Sequence, residues 1–314
     1  MHLAARALVG MAAAAATGVV LVGQLGRTHH VLDQFNVMLP LLVPVLAVCL
    51  ASALRLRDRP SVAVAAIGLL VGGYQLGGAV LSGLGRERGG AAPGSLQIKV
   101  LTLSTFHSNP DPGAIVALVN REAPDIALLQ ETNGTVAPFM PALLPGYRRI
   151  QSCGGGRPCT LTILSRWPIR NLPVTWPPSR AHADVLVGEV RTPAGPLRVI
   201  DVHMARPYVK SSQMFMQQGA ELARREAGVP LVVGGDFNTA TGTFGLARFA
   251  QVSGLRRQDS FIPTYPANRP LPAFAGIDHV FASKHWLRAG CRRTSAGRSD
   301  HYGVLCRLRL RAGV

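Results

Sequence analysis

The 314 residues of this chain leave room for a membrane segment and one domain of ordinary size, which excludes an assembly of several large domains. Basic residues exceed acidic ones by 17, an imbalance that suits polyanionic partners such as nucleic acid, phosphorylated metabolites or anionic lipid headgroups. An arginine-rich genome composition would produce the same excess, so the charge permits such partners without selecting one of them.

The N-terminal third contains three long uncharged stretches. They lie between Arg6 and Arg27, between Asp33 and Arg55, and between Arg59 and Arg86. A membrane-spanning helix needs about 20 mostly apolar residues, so each stretch is long enough to span a bilayer. We predict a membrane anchor of three transmembrane helices over residues 1–88, with a cleaved signal peptide as the alternative for the first stretch. Because the stretches carry no acidic or basic side chain, a transporter is disfavoured.

The arginines between the second and third stretches indicate the orientation of this anchor. Arg55, Arg57 and Arg59 form the densest basic loop, and the positive-inside rule places it in the cytoplasm together with Arg6. We therefore predict a multi-pass protein of the cell membrane with an extracytoplasmic C-terminal domain. That location would permit a disulfide between Cys153 and Cys159, with free thiols as the alternative.

A linker over residues 89–95, Gly-Gly-Ala-Ala-Pro-Gly-Ser, follows the anchor. Fully extended, it reaches only about 25 Å, so the C-terminal domain stays close to the bilayer.

Strands and helices alternate after the linker. The predicted elements are a strand over 98–105, a helix over 112–122, strands over 125–130 and 160–164, a hairpin of 184–191 with 197–203, a helix over 210–227, a strand over 231–233, a helix over 243–252, and mostly strands after 261. Asp111 and Pro112 mark the start of the first of these helices, as a cap and a favoured first residue. Mixed strands separated by few helices predict two packed sheets with helices outside.

Polar residues that suit phosphate chemistry stand at the ends of these strands. The segment Leu231–Val233 is followed by two glycines and then by Asp236 and Asn238, although a simple helix cap is an alternative reading of this motif. The other strand ends carry Glu131, His203, Asp278 and the pair Asp300–His301.

Together these pieces resemble the endonuclease/exonuclease/phosphatase superfamily, the DNase I-like metal-dependent phosphoesterases. The matching segments are LLQET, the histidine of DVHMARP, GGDFNT, IDHVFAS and SDHYGV, which cover about Ile98 to Leu310. The resemblance implies a catalytic domain over residues 96–314 with an α/β fold, a four-layer α/β/β/α sandwich of two mixed sheets. Its active site would lie where the strand-end loops meet at one edge.

Hydrolysis of a phosphate ester requires charge neutralisation on the phosphoryl oxygens, an oriented water and a proton for the leaving oxygen. Mg²⁺ suits the first task because it binds through one or two carboxylates and accepts substrate oxygens; Mn²⁺ is the alternative. The resemblance implies Glu131 as a metal ligand, and Asp300 shares the metal or holds the ligands in place.

Five residues are predicted to carry the catalysis. Asp236 orients the attacking water, and Asn238 holds a phosphate oxygen or the metal shell. His301 contacts the scissile phosphate, with Asp278 fixing its tautomer; Asp300 and His279 are alternative partners in that pair. His203 is a candidate acid for the leaving group, although His203, His301 and Asp236 compete for the roles of acid and base.

Three further residues are expected to meet the substrate. Family members usually end the first strand with an asparagine, and here Ser104 takes that place, lacking the paired donor and acceptor of an amide. Asn109 compensates only if its loop folds back. Arg206 attracts the anionic substrate, unless it belongs to an ordinary solvated face.

The sequence thus favours a membrane-anchored, metal-dependent phosphoesterase. A nuclease and a phospholipid or inositol-phosphate hydrolase are both open: the short linker favours headgroup substrates, and no aromatic-rich patch singles out nucleic acid. The alternative is a non-catalytic polyanion-binding domain that lost turnover through Ser104. The expected partners are the bilayer and the anionic phosphoester, and no obligate protein partner is inferred.

Overall fold

The computed structural model describes residues 2–84, 94–153, 158–176, 183–270 and 272–312, so most of the predicted linker over 89–95 lies outside the described residues. Its N-terminal part consists of helices α1 (His2–Gln24), α2 (Leu39–Arg55) and α3 (Arg59–Leu84), which pack against one another. The three predicted apolar segments are helical and are long and apolar enough to cross a membrane.

The second of these segments is not α-helical throughout. Residues Leu32–Met38 form 3₁₀ turns, and α2 starts only at Leu39. Asn36 explains part of this arrangement, because its side-chain amide donates to the carbonyl of Gly23 at 2.9 Å and ties the turn to the end of α1.

The C-terminal part contains two mixed sheets of six strands each among the described residues. The strands are β1 (Gln97–Ser104), β2 (Ile126–Gln130), β3 (Arg148–Gln151), β4 (Leu161–Ser165), β5 (Ile169–Leu172), β6 (Asp184–Thr192), β7 (Gly195–His203), β8 (Leu231–Asp236), β9 (Arg256–Arg257), β10 (Asp278–Ala282), β11 (Trp286–Arg293) and β12 (Val304–Leu310). The first sheet has the order β11-β12-β1-β2-β4-β3, and the second has the order β5-β6-β7-β8-β10-β9.

One pair of neighbouring strands in each sheet is parallel, and these pairs bring the polar strand ends together. Strand β1 runs parallel to β2, which aligns Ser104 with Gln130, the residue before Glu131. Strand β7 runs parallel to β8, which aligns His203 with Asp236. Because parallel strands end at the same edge of a sheet, each pair presents its C-terminal polar residues side by side.

Helices α4 (Pro112–Glu122), α5 (Ser212–Glu226) and α6 (Phe244–Ser253) cover the outer faces of the two sheets. A core between the sheets includes the fully buried Val100, Leu128 and Val232. A second core joins α4 to the first sheet, and a third joins α5 and α6 to the second sheet through Phe215 and Phe249. The predicted four-layer α/β/β/α sandwich is therefore confirmed.

Some short elements escaped the prediction. Strands β3 and β5 lie at sheet edges with half-exposed side chains, and the 3₁₀ segment over Gly134–Ala142, although apolar, contains two prolines; none of them has the apolar periodicity of a buried element.

Disulfides join the four cysteines of the C-terminal domain in pairs. The predicted Cys153–Cys159 bridge is present, with the Cα atoms 4.4 Å apart. A second bridge, between Cys291 and Cys306, was not predicted, because only the pairing of β11 with β12 brings these residues opposite each other.

Candidate active site

The glycine pair before Asp236 allows β8 to press against its neighbours. At Gly235, where φ is +154°, an added Cβ would lie 1.9 Å from the carbonyl oxygen of Val202. No residue with a side chain fits this approach of the two backbones. The glycine therefore holds the Asp236 end of β8 directly beside the His203 end of β7.

Glu131 lies just past the end of β2, in the left-handed region with φ at +56°. One of its oxygens, Oε2, accepts from the backbone N–H of His107 at 3.0 Å and lies 2.9 Å from the imidazole Nδ1 of the same residue. Burial alone would raise the pKa of the Glu131 carboxyl, but these two hydrogen bonds hold that pKa below its ordinary value. Glu131 is thus an ionised carboxylate with its second oxygen facing His203.

His301 lies between two buried carboxylates. Its Nδ1 is 2.9 Å from Oδ2 of Asp278, and its Nε2 is 3.7 Å from Oδ2 of Asp236. Burial would lower the pKa of His301, but the charges of Asp278 and Asp236 raise it to about 10. The predicted Asp278–His301 pair is confirmed, and the imidazole is cationic at neutral pH.

Asp236 has an unusual environment for a carboxylate. Burial raises the pKa of its carboxyl, opposed by the charge of His301, and the pKa remains well above the ordinary value. The backbone N–H of Asn238 donates to Oδ1 at 2.8 Å, which leaves Oδ2 toward the two imidazoles. The Asp236 carboxylate is therefore more basic than an ordinary one, and its Oδ2 has a fixed orientation.

His203 connects the two halves of the arrangement. Its Nε2 lies 3.7 Å from Oδ2 of Asp236 and 3.9 Å from Oε1 of Glu131. Since both carboxylates lie within 4 Å of one nitrogen, the prediction that Glu131, Asp236 and His203 share one site is confirmed.

A cleft of about 430 Å³ opens over this cluster. Its lining includes Glu131, His203, Arg206 and Asn238. His301 and Asp278 were predicted to face this cleft together with Glu131, Asp236 and His203, but only Glu131 and His203 are among its lining residues. Asp236 and His301 are buried just behind the lining, and Asp278 is fully buried behind His301, to which it is hydrogen-bonded.

The asparagine of the GGDFNT segment is fixed at the wall of the cleft. Asn238 has φ at +49°, and its side-chain amide donates to the carbonyl of Met204 at 2.9 Å. Its carbonyl oxygen is therefore turned away from Met204. At the exposed rim, Arg206 donates to the hydroxyl of Tyr208 at 3.1 Å.

The structure does not support the expectation that Asn109 replaces the missing amide at Ser104. Its Nδ2 donates to the carbonyls of Thr105 and Gly297, and its Oδ1 accepts from the backbone N–H of Asp111. With donor and acceptor committed to backbone groups, Asn109 shapes the loop after β1 and does not line the cleft.

Ser104 and Asp300 lie close to the cluster. Ser104 is fully buried, and its hydroxyl has no hydrogen-bond partner among the residues that the structure describes. Burial raises the pKa of the Asp300 carboxyl, and the negative charge of Glu131 raises it further although His301 opposes this. The Asp300 and Glu131 carboxylates are thus near enough to repel each other.

Sequence reasoning missed two residues around the site and one supporting pair. His107 binds Glu131, and the ring of Tyr265 packs against that of His301, with the centroids 5.1 Å apart and the ring planes inclined at 48°. Behind the site, the Nδ1 of His279 lies 2.9 Å from Asp259, and its Nε2 lies 3.0 Å from the carbonyl of Thr239, in the loop that carries Asn238. His107 could have been found from the sequence, because it follows the predicted strand over 98–105 almost directly, where a polar side chain is a candidate site residue.

Asp236, Asp278 and His301 can also be described as a potential metal-ligand group, because they offer one ligand atom each within 4.8 Å of one another. The short hydrogen bond inside the group makes it a chain of acid, imidazole and acid. A hard cation such as Mg²⁺ prefers oxygen ligands, which Glu131 in the lining of the cleft and the half-buried Asp300 can provide.

Comparisons with known proteins agree with this geometry. Residues 89–301 match the model of the Endonuclease/Exonuclease/phosphatase family, whereas no curated protein sequence matches the chain. An endonuclease/exonuclease/phosphatase from Beutenbergia cavernae DSM 12333 has a similar structure, at 19% identity and a TM-score of 0.54, over 68% of this chain and 72% of that one.

Two other structures are similar to a comparable degree. TDP2 of D. rerio, solved with a single strand DNA product, is 13% identical with a TM-score of 0.55, over 68% of this chain and 99% of that one. Sphingomyelinase C from Streptomyces griseocarneus is 16% identical with a TM-score of 0.52, over the same shares of the two chains. These likenesses establish the fold, and the family match covers more than half of the sequence. The chain belongs to the endonuclease/exonuclease/phosphatase family of phosphoester-hydrolysing enzymes.

Proposed function

We propose that this protein is a membrane-anchored phosphoesterase that depends on a divalent metal ion, with Mg²⁺ as the ion. The observation that carries the proposal is the convergence of an ionised Glu131 and a cationic His301 on the same small volume as Asp236 and His203. Opposite charges held this close, at the edge of a cleft, suit a substrate that is itself an anion and must be attacked by water.

The residues present fit a bound cation. Glu131 is ionised, Asp300 lies close enough to be repelled by it, and a cation between them would relieve that repulsion. The buried hydroxyl of Ser104 lacks a partner within the described part of the chain, so it remains available to an ion's water shell. Glu131 and Asp300 would hold the ion, and when bound it would neutralise phosphoryl charge and orient the phosphate.

The side chains supply the remaining chemistry. His301, fixed through Nδ1 by Asp278, presents its Nε2–H to a phosphoryl oxygen. Asp236, fixed through Oδ1 by Asn238, accepts a proton from the attacking water at Oδ2. The water oxygen forms a bond to phosphorus, and the ester P–O bond breaks. His203 donates the proton that the leaving oxygen requires.

Removal of the metal tests this proposal. We expect the purified full chain to hydrolyse bis(p-nitrophenyl) phosphate with Mg²⁺ and to lose at least about 100-fold of that rate in EDTA, since the phosphoryl charge is then poorly neutralised. Restoring Mg²⁺ should restore the rate, and Mn²⁺ serves as the second ion. Equal rates with and without EDTA would contradict metal dependence.

The same assay separates the proposal from a non-catalytic polyanion-binding domain, which the serine at position 104 would favour. Binding of the phosphodiester without turnover at any Mg²⁺ concentration would support that alternative. If Ser104 limits activity, Ser104→Asn should raise kcat, because an amide supplies a donor and an acceptor where the hydroxyl has no partner among the described residues.

We also propose that the three apolar helices anchor the protein in the cell membrane, with the C-terminal domain outside the cytoplasm. In support, the guanidinium of Arg6 donates to the carbonyl of Leu56 at 2.8 Å, so the arginine at the start of α1 joins those of the α2–α3 loop on one side. The opposite side carries the domain and its two disulfides, which suit an oxidising compartment.

Reporter fusions check this orientation. A reporter that works only outside the cytoplasm should be active when fused to the C-terminus of the full chain. The same reporter inserted in the α2–α3 loop should be inactive, because the arginines keep that loop inside. Activity of a cytoplasm-only reporter at the C-terminus would contradict the orientation.

A further inference from the structure

The loop between α1 and α2 is built into the domain. Asp33 in this loop accepts from the backbone N–H groups of Phe244 at 3.0 Å and Gly245 at 2.7 Å, the first residues of α6. Above this contact, the guanidinium of Arg27 lies over the ring of Phe244, 5.0 Å from its centroid. A carboxylate at a helix N-terminus satisfies open N–H groups and meets the positive end of the helix dipole.

The domain caps the end of α3 in the same manner. Arg257 donates to the carbonyl of Ala79, and Arg288 donates to the carbonyl of Gly83. Cations at the C-terminal end of a helix bind its open carbonyls and its negative dipole end. Side chains of the anchor thus bind a helix end of the domain, and side chains of the domain bind a helix end of the anchor. These contacts hold the two parts together in addition to the covalent chain through residues 85–93.

The loop that carries the catalytic carboxylate ends on this junction. The carbonyl of Gly242 accepts from the side chain of Gln75 at 2.7 Å, and a Cβ added at Gly242 would lie 3.4 Å from Leu39. The chain between Asp236 and Gly242 is so short that it spans at most about 22 Å. Asp236 is thus within that distance of side chains that belong to the apolar helices.

One segment separates the catalytic cleft from the anchor loop. Arg206, Tyr208 and Val209 line the cleft, whereas Pro207 lines a cavity of about 60 Å³ that is also lined by Arg27. The wall of the active site on this side is therefore also the surface that meets the anchor.

Exposed apolar side chains lie in this segment and just after it. Tyr208 is 58% exposed, and Met214, in the first turn of α5, is 43% exposed. Arg206 and Lys210, in the same stretch of chain, are also exposed. Aromatic, apolar and basic side chains exposed within one short stretch suit the headgroup layer of a bilayer, where rings sit at the interface and cations meet lipid phosphates.

We propose that the substrate is a phosphodiester lipid of the leaflet on which the domain sits, entering the cleft past the segment 206–210. The inference rests on the proposed phosphoesterase function and membrane anchoring. The headgroup layer is about 5 to 8 Å deep on each side of a bilayer, so a lipid phosphate lies at the level where the domain is capped onto the helices.

The lining of the cleft favours a lipid over a polynucleotide. Among the described residues, Tyr208 is the aromatic side chain that lines it, whereas proteins that bind single strands without sequence preference commonly stack several bases on aromatic rings. In the reaction, the water oxygen bonds to phosphorus and one ester P–O bond breaks. The products are an alcohol and a phosphomonoester, and no oxidant or reductant takes part.

The experiment uses the full chain reconstituted in vesicles of equal parts phosphatidylethanolamine, phosphatidylglycerol, cardiolipin and phosphatidylinositol with Mg²⁺. Mass spectrometry follows released diacylglycerol and phosphatidate. Parallel reactions contain bis(p-nitrophenyl) phosphate or a DNA or RNA oligonucleotide in solution. Turnover of a vesicle lipid should exceed that of the oligonucleotides by at least about 100-fold at equal total concentration, because the bilayer concentrates lipid at the cleft.

Two outcomes would overturn the inference while leaving the proposed function intact. One is hydrolysis of an oligonucleotide at least as fast as that of any lipid, and the other is consumption of bis(p-nitrophenyl) phosphate with all vesicle lipids unchanged. Absence of hydrolysis in every reaction would instead refute the phosphoesterase function, and this inference with it.

A pair of variants tests the route to the cleft. Met214→Glu places a charge on the surface that should meet the bilayer, and we expect about a 10-fold loss of lipid turnover with the soluble diester changed less than about twofold. The matched control is Phe139→Glu, since Phe139 is 40% exposed on the 3₁₀ segment outside the first sheet. Equal effects of both variants on lipid turnover would contradict the proposed entry surface.

Discussion

Replacing Asp236 by asparagine should reduce kcat for a phosphodiester by about 10²- to 10⁴-fold, the range lost when a positioned general base is removed. The amide cannot accept the proton of the attacking water, and it also removes one of the two negative charges that keep His301 protonated. The shape and the bond from the backbone N–H of Asn238 are retained, so the fold should persist. Single-turnover kinetics in saturating Mg²⁺ would measure the loss.

Asp201→Asn provides the matched control for this variant. Asp201 is a fully buried carboxyl two residues before His203, and burial raises its pKa well above the ordinary value despite a hydrogen bond from Gln130. The carboxyl lies between the sheets and its partners are the side chain of Gln130 and the backbone of Leu129 and Val202, none of which takes part in the proposed reaction. We expect kcat to change by less than about fivefold, because Asp201→Asn alters hydrogen bonds inside the core and leaves the reacting groups in place. Equal losses in the two variants would contradict the assignment of Asp236 as the base.

Asp278→Asn should lower kcat by about 10²- to 10⁴-fold as well, by analogy with other imidazoles whose tautomer is wrongly set. Asp278 does not reach the cleft; it acts through the 2.9 Å bond to Nδ1 of His301. An amide nitrogen at that position could donate to Nδ1 and shift the ring proton to the other nitrogen, and the loss of charge would lower the pKa of His301.

A pH–rate profile distinguishes this effect from general damage. With both carboxylates present the pKa of His301 is raised to about 10, so the protonated form persists to high pH. In Asp278→Asn the remaining activity should fall at a lower pH, since the imidazolium loses its proton earlier. An unchanged alkaline limb, together with a large loss of kcat, would mean that the variant acts by another route.

Asp259→Asn is the comparison for this second variant. Burial alone would raise the pKa of Asp259, but His279 and Arg257 lower it, and this carboxylate is also hydrogen-bonded to a buried imidazole, at 2.9 Å from Nδ1 of His279. The far nitrogen of His279 meets the carbonyl of Thr239 and not the cleft. Asp259→Asn should therefore reduce thermal stability more than Asp278→Asn does, and should reduce turnover less.

The sequence by itself determined the elements and motifs whose causes are local. Asp111 accepts from the backbone N–H of Ala114 at the start of α4, as the Asp-Pro pair predicts. Three stretches without charge became three long helices, since length and apolarity alone decide whether a helix can span a bilayer. That Asp278 needs a partner was also predictable, because a carboxylate inside an apolar strand requires one. The fold decided that the partner is His301 and neither Asp300 nor His279.

Only the tertiary structure decided the contacts between segments that are distant in sequence. His107 reaches Glu131 because β1 and β2 are parallel neighbours, and Cys291 meets Cys306 because β11 pairs with β12. The side chain of Asn109 could have filled the place of the missing amide, but backbone groups of its own loop and of the loop that contains Gly297 bind it first. Such outcomes depend on which donors and acceptors the packed chain brings within reach, and no local pattern of residues contains that information.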